Sequence, residues 1–75
     1  MKELIGRRIR DLRKRCGYTQ AMLAEKTDLS IEFISRVERG KHIPSLCRMQ
    51  RICLALGCSL CDFFNHADFT FLYEE

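Results

Sequence analysis

The 75-residue sequence lacks a long apolar run, and this absence excludes a membrane-spanning helix. A helix needs ~20 consecutive, mostly apolar residues to cross a bilayer, and no stretch approaches that length. The first ten residues, MKELIGRRIR, also lack the apolar core of a secretory signal peptide. We therefore expect a cytoplasmic protein with no membrane partner.

The sequence also lacks the residue patterns that catalysis uses. It suggests no Ser/His/acid or Cys/His arrangement, and it contains no glycine-rich loop that could hold a phosphate. A chain of this length makes one small domain, which leaves little room for a substrate pocket. We expect no enzymatic activity, no cofactor and no small-molecule ligand.

Cysteine is abundant, with five residues, but its spacing does not build a metal site. Cys58 and Cys61 form a CxxC pair, whereas a closed zinc site needs four ligands in tetrahedral geometry. The histidines His42 and His66 are isolated, and an odd number of cysteines argues against a disulfide framework. We expect no metal ion, and metal or thiol sensing is the alternative.

Charge of both signs is present but unevenly distributed. Residues 1–15 carry seven Lys or Arg and two acids, whereas residues 16–60 carry six and four. Residues 61–75 carry four acids and no base. A basic head and an acidic tail indicate that one surface faces a polyanion, although a charge run alone is typical of a solvated helix face.

Helical periodicity, caps and glycines predict five short helices. The first spans residues 3–15, and the others follow residues suited to capping a helix N-terminus, namely Thr19, Ser30, Ser45 and Ser59. Gly17, Gly40 and Gly57 each follow a periodic segment, as helix-ending glycines do. Because Met22 occupies the third position after Thr19, we expect no reciprocal capping box there.

Apolar residues at helical spacing predict the core and leave one polar face on helix 3. The expected core residues are Ile5, Ile9, Leu12, Cys16, Leu23, Ala24, Phe33, Ile34, Val37, Leu46, Met49, Ile52, Cys53, Leu56, Leu60, Phe63 and Phe64. The opposite stripe of helix 3 carries an acceptor, a hydroxyl and two guanidinium groups, from Glu32, Ser35, Arg36 and Arg39.

The chain is predicted to divide into a domain over residues 1–66 and a C-terminal tail over residues 67–75. Phe69 and Phe71 alternate with polar neighbours before Leu72 breaks the pattern, which fits an edge strand, a disordered tail or an apolar strip for a partner. A tail packed loosely on its own domain is the plainer alternative. Its large apolar groups favour self-association, so we treat it as a candidate dimerisation segment.

Five motifs in order identify a family resemblance over residues 7–64. They read IRxLRxxxG, TQxxLA, LSxxxISRxERG, PSL and LALGxSLxDFF. With this spacing the sequence resembles the phage-repressor-type (Cro/cI, XRE-type) helix-turn-helix family. The resemblance implies an all-α, five-helix, lambda-repressor-like DNA-binding domain whose third helix reads the major groove.

The resemblance also assigns residue roles by position. The implied DNA-binding residues are Thr19, Gln20, Ser30, Ile31, Glu32, Ser35, Arg36, Arg39 and Lys41, with His42 beside them. Arg36 can donate two hydrogen bonds to guanine, Glu32 can accept one from cytosine, and Ile31 can contact a thymine methyl. Gln20 matches a position that binds phosphate.

Plainer interpretations exist for three of these residues. Glu32 and Arg36 are four residues apart and could form only a surface ion pair, and Ile31 could be the edge of the buried stripe. Arg13 and Glu38 match a family ion pair that ties helix 1 to helix 3, which makes Glu38 structural.

Two residues depart from the family pattern. Asp28 stands in the turn where the family often has glycine, and Asp tolerates the left-handed conformation at some cost. Met22 replaces a common acidic residue in helix 2. Neither change removes an implied DNA contact.

We therefore predict a sequence-specific regulator of transcription, bacterial or phage-encoded and associated with the nucleoid when bound. It would bind a near-palindromic operator as a homodimer, like a small phage repressor or a restriction–modification controller protein. The alternative is an antitoxin-like or adaptor-like module that binds protein through the same scaffold. Such a module would be expected to carry apolar groups where this chain has Arg36, Arg39 and Lys41.

Overall fold

A computed structural model of the protein describes residues 1–73. It contains five α-helices and a C-terminal 3-10 helix, which are α1 (Lys2–Arg15), α2 (Gln20–Thr27), α3 (Ile31–Glu38), α4 (Leu46–Leu56), α5 (Leu60–Phe64) and the 3-10 helix (Ala67–Tyr73). The all-α prediction is confirmed, and residues 1–73 contain no strand. None of these helices is both long enough and apolar enough to span a bilayer.

The predicted N-caps are all present. The hydroxyl oxygens of Thr19, Ser30, Ser45 and Ser59 accept hydrogen bonds from backbone N–H groups three residues ahead, at 3.0–3.3 Å. The prediction of no capping box at Thr19 is wrong, because its own N–H donates to Met22 Sδ at 3.5 Å. A thioether sulfur is only a weak acceptor, but it occupies the place of the usual carboxylate.

The core agrees with the predicted stripes except at two positions. Cys16 is exposed because it follows the last residue of α1, and Leu46 is 72% exposed. Leu46 lies in the first turn of α4, to one side of the face that Met49, Ile52 and Leu56 bury. Correct spacing therefore did not bury either side chain.

The segment predicted as a tail forms the 3-10 helix and not an edge strand. Phe69 is fully buried, with its ring centroid 5.1 Å from that of Phe64, and the Asp68 carboxylate lies 3.5 Å from an Arg7 guanidinium nitrogen. Burial of this ring overrides the alternating pattern that favoured a strand. Phe71 and Leu72 remain 46% exposed, and the predicted tail's Glu74 and Glu75 lie outside the described residues.

Helices α1 and α3 approach each other closely at Gly6. A Cβ atom at Gly6 would overlap the carbonyl oxygen of Val37 and lie 2.8 Å from that of Glu38. Only a residue without a side chain lets the two backbones come this close. This contact sets the distance at which α3 is held against α1.

The turn between α2 and α3 adopts the left-handed conformation expected at Asp28, with φ 56° and ψ 38°. A guanidinium nitrogen of Arg51 in α4 donates to the carbonyl oxygens of Thr27 and Asp28, the second at 3.2 Å. These bonds satisfy carbonyl groups at the end of α2. The turn is thus held from the side of α4.

The contact at Gly6 predicts that Gly6→Ala destabilises the protein. Alanine usually stabilises a helix interior relative to glycine, but the methyl clash should lower the free energy of unfolding by about 1–3 kcal/mol. Urea denaturation measures the change. Arg10→Ala, at an exposed position of α1, should change it by less than about 0.5 kcal/mol. A more stable Gly6→Ala variant would contradict the close approach.

Candidate nucleic-acid interface

The outward face of α3 carries charged groups without partners in the described chain. Ile34 and Val37 bury the inner face, while Glu32 and Arg36 are exposed. Within residues 1–73, neither the Glu32 side chain nor the Arg36 side chain makes a hydrogen bond or ion pair, so the alternative of an internal Glu32–Arg36 pair is not formed there. Both groups are available to an external molecule.

The N-terminal turn of α3 is also accessible. Ser30 is exposed as the N-cap, and Ile31 is 52% exposed, so about half of the Ile31 surface is accessible to an external molecule. Ser35 is partly buried, and its carbonyl oxygen accepts from Arg39 Nε at 3.3 Å. Methyl, hydroxyl and guanidinium groups therefore share this face.

Basic residues follow α3 where the chain leaves it. Arg39 and Lys41 are exposed, and the His42 ring packs edge-on against Phe33 with 5.3 Å between the ring centroids. Gly40 has φ 74°, which lets the chain reverse immediately after the helix. The loop thus adds positive charge beside α3.

The start of α2 is tied to α3 through a three-residue network. Arg13 donates to both carboxylate oxygens of Glu38, at 2.7 and 3.0 Å, and to the carbonyl oxygen of Tyr18 at 2.8 Å. The Arg13 and Glu38 side chains are only 10% and 3% exposed. The hydrogen bond to Glu38 raises the pKa of Arg13, so its guanidinium stays charged.

Gln20 joins this network, which the sequence did not predict. Its Nε2 donates to Glu38 Oε1 at 3.1 Å, so the side chain expected to bind phosphate already has a partner inside the protein. An amide has two N–H donors and one acceptor oxygen, so one N–H donor and the oxygen remain for a ligand. The structure therefore brings Gln20 to the side of α3, and Thr19 precedes it as the N-cap of α2.

Two arginines outside the predicted site also contact the helix-turn-helix unit. Arg51 caps α2, and the Arg48 guanidinium lies over the Phe33 ring, 5.0 Å from its centroid. Sequence reasoning missed Arg48. Its signal was its position in the first turn of α4, where the positive end of the helix dipole disfavours a cation.

The cysteines do not converge on a metal site in the described part of the chain. No group of three or more side chains in residues 1–73 could hold a metal ion. Burial, with the neighbouring Cys58 thiol, raises the pKa of Cys53 to about 12, which keeps the Cys53 thiol protonated at neutral pH. Metal ligands need the thiolate.

Comparison with known sequences identifies one family and several relatives. The profile of the family described as Helix-turn-helix matches residues 9–63. The chain is 40% identical over 53 residues, 71% of its length, to the immunity repressor protein of Bacillus phage phi105. It is 36% identical over 73 residues, 96% of its length, to the HTH-type transcriptional regulator SlrR of Bacillus subtilis. It spans 37% and 47% of the lengths of these two relatives.

A solved structure has the same fold. The restriction–modification controller protein C.Esp1396I, as a tetramer in complex with its natural 35-base-pair operator, superposes with a TM-score of 0.78 and 28% identity. The superposition covers 84% of this chain and 83% of the controller chain.

The buried ion pair predicts strong coupling between Arg13 and Glu38. Removing one partner leaves an uncompensated charge, so Arg13→Met or Glu38→Gln should each lower the free energy of unfolding by about 3 kcal/mol. The double variant should be less destabilised than the sum of the two, by at least about 0.5 kcal/mol in a urea-denaturation cycle.

The exposed Arg7–Asp68 pair is the matched control for this cycle. Its atoms lie 3.5 Å apart, and its side chains are 59% and 37% exposed, so its coupling energy should fall between about 0 and 1 kcal/mol. Simple additivity at Arg13 and Glu38 would show that they do not act as a unit.

Proposed function

Since this chain belongs to the helix-turn-helix family, we propose that it is a sequence-specific DNA-binding regulator of transcription. It is associated with the nucleoid when it is bound to DNA. The single observation that carries the proposal is the outward face of α3, where Glu32 and Arg36 are exposed and have no partner within residues 1–73. Free donors and acceptors on a short exposed helix are what base-edge recognition requires.

The direct sequence readout is assigned to α3. Arg36 donates two hydrogen bonds to guanine O6 and N7, which is worth about 1–3 kcal/mol of discrimination. Glu32 accepts from cytosine N4, and the half-exposed Ile31 contacts a thymine methyl. Ser30 and Ser35 supply hydroxyl groups on the same helix.

The phosphate contacts are assigned to both sides of α3. Thr19 and Gln20 lie at the N-terminal end of α2, where free N–H groups favour an anion. Arg39 and Lys41 supply exposed cations after α3, with His42 beside them. These contacts would fix the position of α3 along the duplex without reading its sequence.

The proposed active species is a homodimer on a near-palindromic operator. Two recognition helices related by a two-fold axis match half-sites about one helical turn, ~34 Å, apart. The relative C.Esp1396I is a tetramer on its operator, which supports assembly of several protomers on one site. For this chain, the segment 67–75 is the proposed dimer contact, since Phe71 and Leu72 expose apolar surface there.

A protein-binding module on the same scaffold is the competing function. Its exposed helix face would carry apolar side chains, whereas Arg36, Arg39 and Lys41 are all exposed and basic here. The charge of this face therefore favours nucleic acid over a protein partner.

Selection of bound duplexes from a random library tests the function and supplies an operator. The wild-type protein should bind the selected duplex at least about a thousandfold more tightly than random DNA at physiological salt. Arg36→Ala should lose about 1–3 kcal/mol of that discrimination while the protein stays folded by circular dichroism. Arg10→Ala, which removes an exposed charge on α1, should retain the operator preference.

A different result would remove the assignment. If the wild-type protein binds all duplexes equally, the protein-binding module becomes the better function. If Arg36→Ala binds the selected duplex with unchanged affinity and preference, α3 does not read the groove through this residue.

The proposed dimer contact predicts that the double variant Phe71→Lys, Leu72→Lys dissociates the protein. Two charges within an apolar contact should convert the dimer to a monomer in sedimentation velocity and weaken operator binding. Leu54→Lys is the matched control, because Leu54 is exposed and apolar but lies on α4. Loss of the dimer with the Leu54 variant alone would place the contact on α4.

A further inference from the structure

The Phe33 ring of α3 contacts two side chains from other segments, a guanidinium and an imidazole. The Arg48 guanidinium lies 5.0 Å from the centroid of the Phe33 ring, within cation–π distance. The His42 ring meets the same ring edge-on at 5.3 Å. Arg48 of α4 is thereby held on a residue of the helix proposed to enter the groove.

The charge of Arg48 is not balanced in the described chain. Arg48 is exposed and makes no ion pair within residues 1–73, and the first turn of α4 contains no acidic residue. The loop that precedes α4 contributes Lys41 and His42, and Arg39 precedes that loop. A cation near a helix N-terminus is electrostatically unfavourable until an anion arrives.

The position of Arg48 relative to α3 indicates which anion fits. The Ser30 hydroxyl caps the N–H of Phe33, and the Ser45 hydroxyl caps that of Arg48, so both residues lie in the first turns of their helices. In helix-turn-helix proteins the N-terminal part of the recognition helix contacts the bases. A cation beside that turn lies next to the wall of the groove, which is made of backbone phosphates.

We propose that Arg48 binds a DNA backbone phosphate and that Phe33 is the positioning residue that holds it there. This inference rests on the proposed DNA-binding function and adds a contact from α4, outside the helix-turn-helix unit. The contact carries no base information, because a phosphate is the same in every sequence. It couples α4 to α3, since the guanidinium that holds the phosphate rests on a ring of α3.

The salt dependence of DNA binding tests the contact directly. Each phosphate neutralised by a cationic side chain contributes about 0.9 to the slope of log K against log salt concentration. Arg48→Gln should therefore lower the magnitude of that slope by about 0.9 per bound protomer. By the same relation, the factor by which Arg48→Gln lowers the affinity should be about fivefold larger at 0.15 M salt than at 1 M salt, per bound protomer.

Both the selected operator and a mixed-sequence duplex serve as probes, with two control variants. Arg48→Gln should weaken binding to both duplexes by the same factor, which a base contact would not do. Arg48→Lys keeps the charge and should retain the slope. Arg10→Gln removes an exposed charge on α1, to which no DNA contact is assigned, and should leave the slope unchanged within error.

The positioning role has its own readout. In a Phe33→Leu background, Arg48→Gln should lose less affinity than in the wild-type background, because the guanidinium is no longer held in place. Equal losses in both backgrounds would remove the role of Phe33.

The outcomes separate this inference from the function beneath it. A wild-type protein that binds neither duplex overturns the proposed function. A wild-type protein that binds, with a slope that Arg48→Gln leaves unchanged or that Arg10→Gln lowers equally, overturns the phosphate contact alone.

Discussion

The junction of α1 and α3 is the constraint on which the proposed reading surface depends. Gly6 lets the two backbones meet, and the Arg13–Glu38 ion pair fixes the angle between the helices. An eight-residue helix is too short to be stable alone, so its orientation comes from such tertiary contacts. Arg13, a side chain of α1, therefore helps to set the direction in which Arg36 projects.

Glu38 links this structural core to the candidate phosphate contacts. The same carboxylate accepts hydrogen bonds from Arg13 and from Gln20. The start of α2 and the end of α3 thus share one anchor, which fixes their positions relative to each other. Arg51 performs a similar task on the opposite side, where it ties α4 to the turn at Asp28.

Local rules predicted the parts of this structure that local physics decides. The four N-caps, the helix-ending glycines and the left-handed Asp28 follow from the conformational preferences of single residues, so the sequence alone located them. Leu46 and the strand alternative for the tail failed because burial depends on which element lies above a side chain. The Gln20–Glu38 bond, the Gly6 approach and the stacking of Arg48 on Phe33 depend on distances between helices, which periodicity does not encode.

The cap at Met22 gives the start of α2 an unusual chemical sensitivity. Its thioether accepts a hydrogen bond from the Thr19 N–H, and Met22 is 42% exposed to solvent. Oxidation to the sulfoxide adds a polar oxygen without disturbing a core, and that oxygen accepts hydrogen bonds better than sulfur does. Damage that usually loosens a protein would here change the strength of a helix cap beside Gln20.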